Sequence, residues 1–131
     1  MARAFLDTNI VLYLLSGDQR KADTAEALLS QGGVISVQVL NEAVSVCRRK
    51  LGMPWDEVHA LLAAVRACCD VVPLDLATHE QGLQLAEQFG LSVYDALIVS
   101  SAVQAGAQTL YSEDMHNRLV VGDTTIRNPF A

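Results

Sequence analysis

A chain of 131 residues is about the size of one domain, and its 51% hydrophobic content is ample for a single packed core. The 18% charged content argues against disorder, and apolar runs such as "ALLAAV" fall far short of the roughly 20 residues that cross a bilayer. A formal charge of −6 lacks the basic footprint of most nucleic-acid binders, and three cysteines, Cys47 and the vicinal Cys68 and Cys69, imply no disulfide framework.

In chain order, "ARAFL" reads as a first strand that ends just before Asp7. "TNIVLYLLSG" reads as a helix stopped near Gly17, and "RKADTAEALLSQGG" as a second helix with Ala22, Ala25, Leu28 and Leu29 on one side. "GVIS" supplies a short buried strand. A helix follows from Val37 to Leu51, ended by Gly52, and Pro54 opens another through "WDEVHALLAAVRACC". "VVPL" is the next strand. Helical spacing returns from Thr78 to Phe89, stopped at Gly90, and from Val93 to Ala105, stopped at Gly106. "QTLY" is a fourth strand and "TTIRN" a candidate fifth. Strands that alternate with helices predict a three-layer α/β domain with a central parallel sheet of about four to five strands, because parallel strands need crossover connections. Residues 1–131 are expected to form one domain, since no repeat, low-complexity segment or long linker divides them.

The N-terminus has no long apolar segment followed by a small-residue cleavage site, so the expected compartment is the cytoplasm, with no membrane partner. His59, His79 and His116 show no ligand spacing with one another or with the cysteines. They read as surface histidines, and the thiols read as buried.

In such a sheet, ligands belong at the carboxyl ends of the strands. Asp7 directly follows the first strand, and Asp114 lies three residues after Tyr111 at the end of "QTLY". Glu42 lies early in the helix after "GVIS", and Asp95 in the first turn of the helix that begins near Ser92. Each acid has a structural explanation. Asp7 can cap the helix that starts at Thr8, and Ser92 with Asp95 has capping-box spacing. Glu42 can sit on a polar stripe with Ser45 and Arg49, and Asp114 can be a turn acid. Together they say more. Asp95 has Ile98, Val99 and Ala102 at helical spacing, so part of its face is apolar and an unpartnered charge there is costly. Four converging carboxylates repel one another unless protons or cations intervene, and such oxygen-rich sites suit Mg²⁺ or Mn²⁺.

The strings "FLDTNIVLYLL", "SVQVLNEAVSV", "LSVYDALIVSSAVQAGAQTLYSEDM" and "TTIRNPF", in this order across nearly the whole chain, resemble the PIN domain, in particular the VapC-type ribonuclease toxins of toxin–antitoxin systems. The resemblance implies a PIN-like α/β/α fold and metal-binding, catalytic roles for Asp7, Glu42, Asp95 and Asp114. Thr8, Asn9 and Ser112 fall at its accompanying polar positions. Glu113 stands beside Asp114 in "SEDM", and Asp114 is the preferred ligand. Also implied are an Mg²⁺- or Mn²⁺-dependent endoribonuclease, an RNA substrate, a cognate antitoxin and a homodimer.

Setting four of the 15 acidic residues aside as metal ligands, against 9 basic ones, changes the balance from −6 to −2. "RRK" at Arg48, Arg49 and Lys50 could then offer a basic margin for RNA phosphates, as could Arg20 and Lys21, although solvated helix ends are the simpler explanation of both clusters. The competing expectations are a catalytically silent PIN-like protein-binding module and a metal-dependent DNA nuclease or phosphatase. "DTN" lacks the second Asp of the D-x-D phosphatase pattern, which weakens the phosphatase.

Overall fold

The computed structural model describes residues 3–131, in which six strands and six α-helices are present. The strands are β1 (Phe5–Leu6), β2 (Gly33–Ser36), β3 (Cys69–Val72), β4 (Thr109–Tyr111), β5 (Val120–Val121) and β6 (Thr124–Arg127). The helices are α1 (Thr8–Leu12), α2 (Gln19–Ser30), α3 (Val37–Arg49), α4 (Trp55–Cys68), α5 (Leu76–Phe89) and α6 (Val93–Gln104). The expected first strand reached back to Ala2, which lies outside the described residues; among the described residues, β1 comprises Phe5–Leu6.

The sheet order is β3-β2-β1-β4-β6-β5. All neighbours are parallel except β5 and β6, which form an antiparallel pair. The crossovers from β1 to β2 and from β2 to β3 step the same way and carry α1 to α4, whereas the return from β3 to β4 carries α5 and α6. Right-handed crossovers therefore put the two helix groups on opposite faces, giving three layers. The chain reverses direction along the sheet between β1 and β4, so the crevice beyond their carboxyl ends is the topological switch point.

Strand β1 has two residues, yet it holds the centre. Phe5 pairs with both Val34 and Leu110, and the ladder continues past the strand through Asp7 N–H to the Tyr111 carbonyl at 3.0 Å. Phe5, Ile35, Leu110 and Ile126 are fully buried, as a sheet covered on both faces requires. Helix α6 is buried continuously from Ala96 to Ala102, and α5 packs closely against it. A Cβ on Gly82 of α5 would come within 2.8 Å of Leu97 Cδ2, so the glycine permits this approach.

The departures from expectation have local causes. The sheet has six strands because "VVGDTT" turns at Gly122, whose φ of 59° suits a tight reversal, and a two-residue strand is too short to show a period. Strand β3 is Cys69–Val72 rather than residues 71–74, since Pro73 has no N–H for the ladder. Helix α5 begins at Leu76 because Asp75 caps it, accepting from Thr78 N–H at 2.9 Å. The first helix gives way at Tyr13–Leu15 to a 3-10 turn. Arg20 and Lys21 lie in the first turn of α2, so they are not a basic C-terminal helix end. Cys47 and Cys69 are buried as expected, while Cys68 is exposed, and all three histidines are exposed. Among the described residues no helix is long and apolar enough to cross a membrane.

Candidate active site

Asp7 leaves β1 at the switch point and also caps α1. Its Oδ1 accepts from Thr8 N–H at 2.7 Å, and its Oδ2 accepts from the Ser112 hydroxyl at 2.7 Å and from Asn9 Nδ2 at 3.4 Å. The residue is only 4% exposed. Burial pushes its carboxyl from 3.8 up to about 6; the Ser112 and Thr8 hydrogen bonds oppose the rise, and the charges of Asp95 and Glu42 add to it. Among the described residues no Lys or Arg forms an ion pair with it. A buried carboxylate with three donors but no countercharge is stabilised in orientation and still electrostatically expensive.

The other three acids arrive from separate elements. Glu42, in the second turn of α3, accepts from Thr8 Oγ1 at 3.1 Å and from Gln38 Nε2 at 3.2 Å. Asp95 sits in the first turn of α6, where Ser92 caps the helix by accepting from Asp95 N–H at 3.2 Å. Burial raises the Asp95 carboxyl above the usual range, the Ser92 hydroxyl lowers it, and the Asp114 charge raises it further. Asp114, just beyond β4, is exposed and accepts from Asn9 Nδ2 at 3.1 Å. Asp7, Glu42, Asp95 and Asp114 line one cleft of about 350 Å³, together with Thr8, Asn9, Ser45 and Lys50. Capping and clustering thus coexist at Asp7, whose Oδ1 caps the start of α1 while the residue lines the cleft.

The acids do not form a closed ligand set. Among the described residues, no three His, Cys, Asp or Glu side chains stand ready around one point. Neutral donors lie between them: the Thr8 hydroxyl at Glu42 and the Asn9 amide between Asp7 and Asp114. The donor chemistry nonetheless fits a hard divalent cation, because all four acids offer oxygen, three line the cleft with Asp7, and the buried Asp7 has no countercharge.

Glu113 points elsewhere. Its carboxylate accepts from the Tyr13 hydroxyl and pairs with Lys21 Nζ at 3.1 Å. These contacts hold its carboxyl below the usual range, the Tyr13 bond first among them. Of the basic run, Lys50 lines the cleft, whereas Arg48 donates to the Met53 carbonyl at 2.7 Å and stacks 4.4 Å from the Trp55 ring centre. Arg49 is exposed and does not line the cleft. Two contributors escaped sequence reading. Gln38 stands four residues before Glu42, a helical spacing that could have pointed to it. Tyr13 meets Glu113 across the fold, which no local pattern announces.

The description "PIN domain" matches residues 4–120 of the chain. No curated protein matches it. Among solved structures, a toxin–antitoxin complex from Klebsiella pneumoniae superposes with a TM-score of 0.70 at 22% identity, covering 96% of this chain and 97% of that one. The Mycobacterium tuberculosis toxin VapC20, described as cleaving the sarcin–ricin loop, gives 0.67 at 21% identity over 85% and 89% of the two chains. A DNA-bound VapBC complex from Salmonella typhimurium gives 0.73 at 16% identity over 98% and 99%.

Proposed function

Since the chain belongs to the PIN domain family, we propose that it is a metal-dependent endoribonuclease and the toxin of a toxin–antitoxin pair. The observation that carries this reading is the buried Asp7, without a countercharge, in one cleft with Glu42, Asp95 and Asp114 at the switch point of the sheet. The toxin–antitoxin complexes among its structural neighbours support an antitoxin partner, and the VapC20 description supports RNA as the substrate class. A homodimer, a cytoplasmic location and a single domain over residues 1–131 belong to the same proposal.

Asp7, Asp95, Glu42 and Asp114 would hold Mg²⁺ or Mn²⁺. When bound, the ion lowers the pKa of water and neutralises charge building on the phosphate and the departing oxygen. The protein's part is placement. Thr8 and Ser112 fix the Asp7 carboxylate by its two oxygens, so little reorganisation is needed when a cation arrives. Gln38 and Thr8 fix Glu42 in the same way. Lys50 supplies the positive rim that an otherwise acidic cleft needs to hold an RNA phosphate. No Ser-His-Asp arrangement is required, and the exposed histidines lie outside the cleft lining.

The test is incubation of the purified protein with single-stranded RNA, single-stranded DNA and a phosphomonoester, each with Mg²⁺ or Mn²⁺ and with chelator. RNA alone should be cut, chelator should stop it, and Asp7→Asn should be inert. In cells, the parent should arrest growth without an antitoxin while Asp7→Asn at equal abundance is tolerated. Cleavage that survives Asp7→Asn, or arrest without RNA cleavage, overturns the reading.

A further inference from the structure

Glu113 is the one acid of "SEDM" that avoids the cleft, and its surroundings form an ordered cluster. One carboxylate oxygen accepts from the Tyr13 hydroxyl, and both oxygens meet Lys21 Nζ, at 3.2 and 3.1 Å. Lys21 Nζ also stands 4.6 Å from the Tyr13 ring centre and 5.7 Å from that of Phe130. The Tyr13 and Phe130 rings meet edge to face at 5.0 Å. Three side chains, from the 3-10 turn, the post-β4 loop and the C-terminal segment, therefore close on the Lys21 ammonium, in a partly buried position where ion pairs and cation–π contacts hold better than on open surface.

The segment on either side of Glu113 is attached just as closely. Ser112 N–H donates to the Arg127 carbonyl at 3.0 Å and its hydroxyl to Asp7, Glu113 N–H donates to Asn9 Oδ1 at 3.4 Å, and Asp114 accepts from Asn9. Residues 112–114 thus alternate in direction: Ser112 is buried against Asp7, Glu113 turns to the clamp, and Asp114 lines the cleft. A side chain pinned on the outer side sets where its two neighbours point.

We propose that Glu113 is a positioning residue: with Tyr13, Lys21 and Phe130 it clamps the loop after β4 so that Ser112 reaches Asp7 and Asp114 faces the acidic cleft. The clamp serves the metal site of the proposed nuclease and rests on that reading for its purpose, but not for its existence. Lys21 is then a structural cation, held by Glu113 and unavailable to substrate phosphates.

Two readouts separate these levels. Hydrogen exchange of the 112–115 amides needs neither metal nor RNA. It should quicken in Glu113→Gln and in Lys21→Met, and the double variant should exchange no faster than the faster single, because both substitutions open one clamp. Unchanged exchange in both singles overturns the clamp. Calorimetric Mg²⁺ affinity should fall by about tenfold in each single variant and no further in the double. Glu113→Gln that abolishes Mg²⁺ binding while Lys21→Met leaves it intact makes Glu113 a ligand and overturns the positioning role. If the parent neither binds Mg²⁺ nor cuts RNA while exchange responds as stated, the clamp stands and the nuclease reading falls.

Discussion

The Ser112 hydroxyl donates to Asp7 Oδ2 at 2.7 Å and ties together the ends of the two central strands. This bond opposes the burial that raises the Asp7 carboxyl. Ser112→Ala should therefore move ionisation of Asp7 to higher pH, and Mg²⁺ binding with it. Calorimetric titrations over the pH range on either side of the Asp7 value of about 6 should show the onset of binding shifted alkaline; an unmoved onset counts against the bond as a tuning element.

Asp7 itself makes a stability prediction. Its carboxyl lies at about 6 in the fold against 3.8 in the unfolded chain. Between those values the unfolded state has released a proton that the folded state keeps, so the metal-free protein loses stability as pH rises through the window, reaching a cost on the order of 3 kcal/mol at neutral pH. Asp7→Asn should abolish that part of the slope and be at least as stable as the parent at pH 7. Urea melts in chelator across this window check it, and parallel pH profiles for the two proteins would defeat it.

Divalent metal should reverse the same penalty. At neutral pH, Mg²⁺ at about 100 times its dissociation constant should add about 2.7 kcal/mol to stability, and less at pH 5, where Asp7 is protonated. Asp95→Asn should blunt the effect at constant fold. Thermal midpoints that ignore Mg²⁺ in the parent would remove the cation from this cleft.

Within "RRK", Lys50 and Arg48 should part company. Lys50→Glu should weaken RNA association and flatten its salt dependence, since Lys50 lines the cleft. Arg48→Glu should act mainly on stability, by about 1 kcal/mol, through loss of the Trp55 stacking and the Met53 hydrogen bond. Filter binding at several salt concentrations, paired with melts, distinguishes them; an equal RNA defect from Arg48→Glu at unchanged stability contradicts the assignment.

What could be read from the sequence followed the reach of each signal. Helices α3 and α6 carry side-chain caps at Ser36 and Ser92 and glycines shortly past their ends, so their existence and approximate bounds were legible, and Asp7 stood out as a charge at a strand end. The antiparallel β5–β6 pair was not, because Val120–Val121 pairs through a turn and shows no period of its own. "SEDM" offered two acids in adjacent positions, and adjacency alone assigns neither; Tyr13 and Lys21, about 100 residues earlier, decide between them. Lys50 and Arg48 look alike in a charge run and differ only once α3 has been wound and its end placed beside Trp55.

Asp7 and Ser112 are separated by 105 positions in the chain. The β1–β4 seam between them is thus among the most distant pairings the chain makes, and such pairings close late because the intervening loop must be gathered first. While the polypeptide is being synthesised, Asp7 leaves the ribosome early and waits, with Asp95 and Asp114 still unmade. Two of the four cleft acids therefore come late in the chain, and the cleft cannot assemble before β4 has paired with β1, so the order of synthesis makes the proposed site one of the last parts of the molecule to be completed.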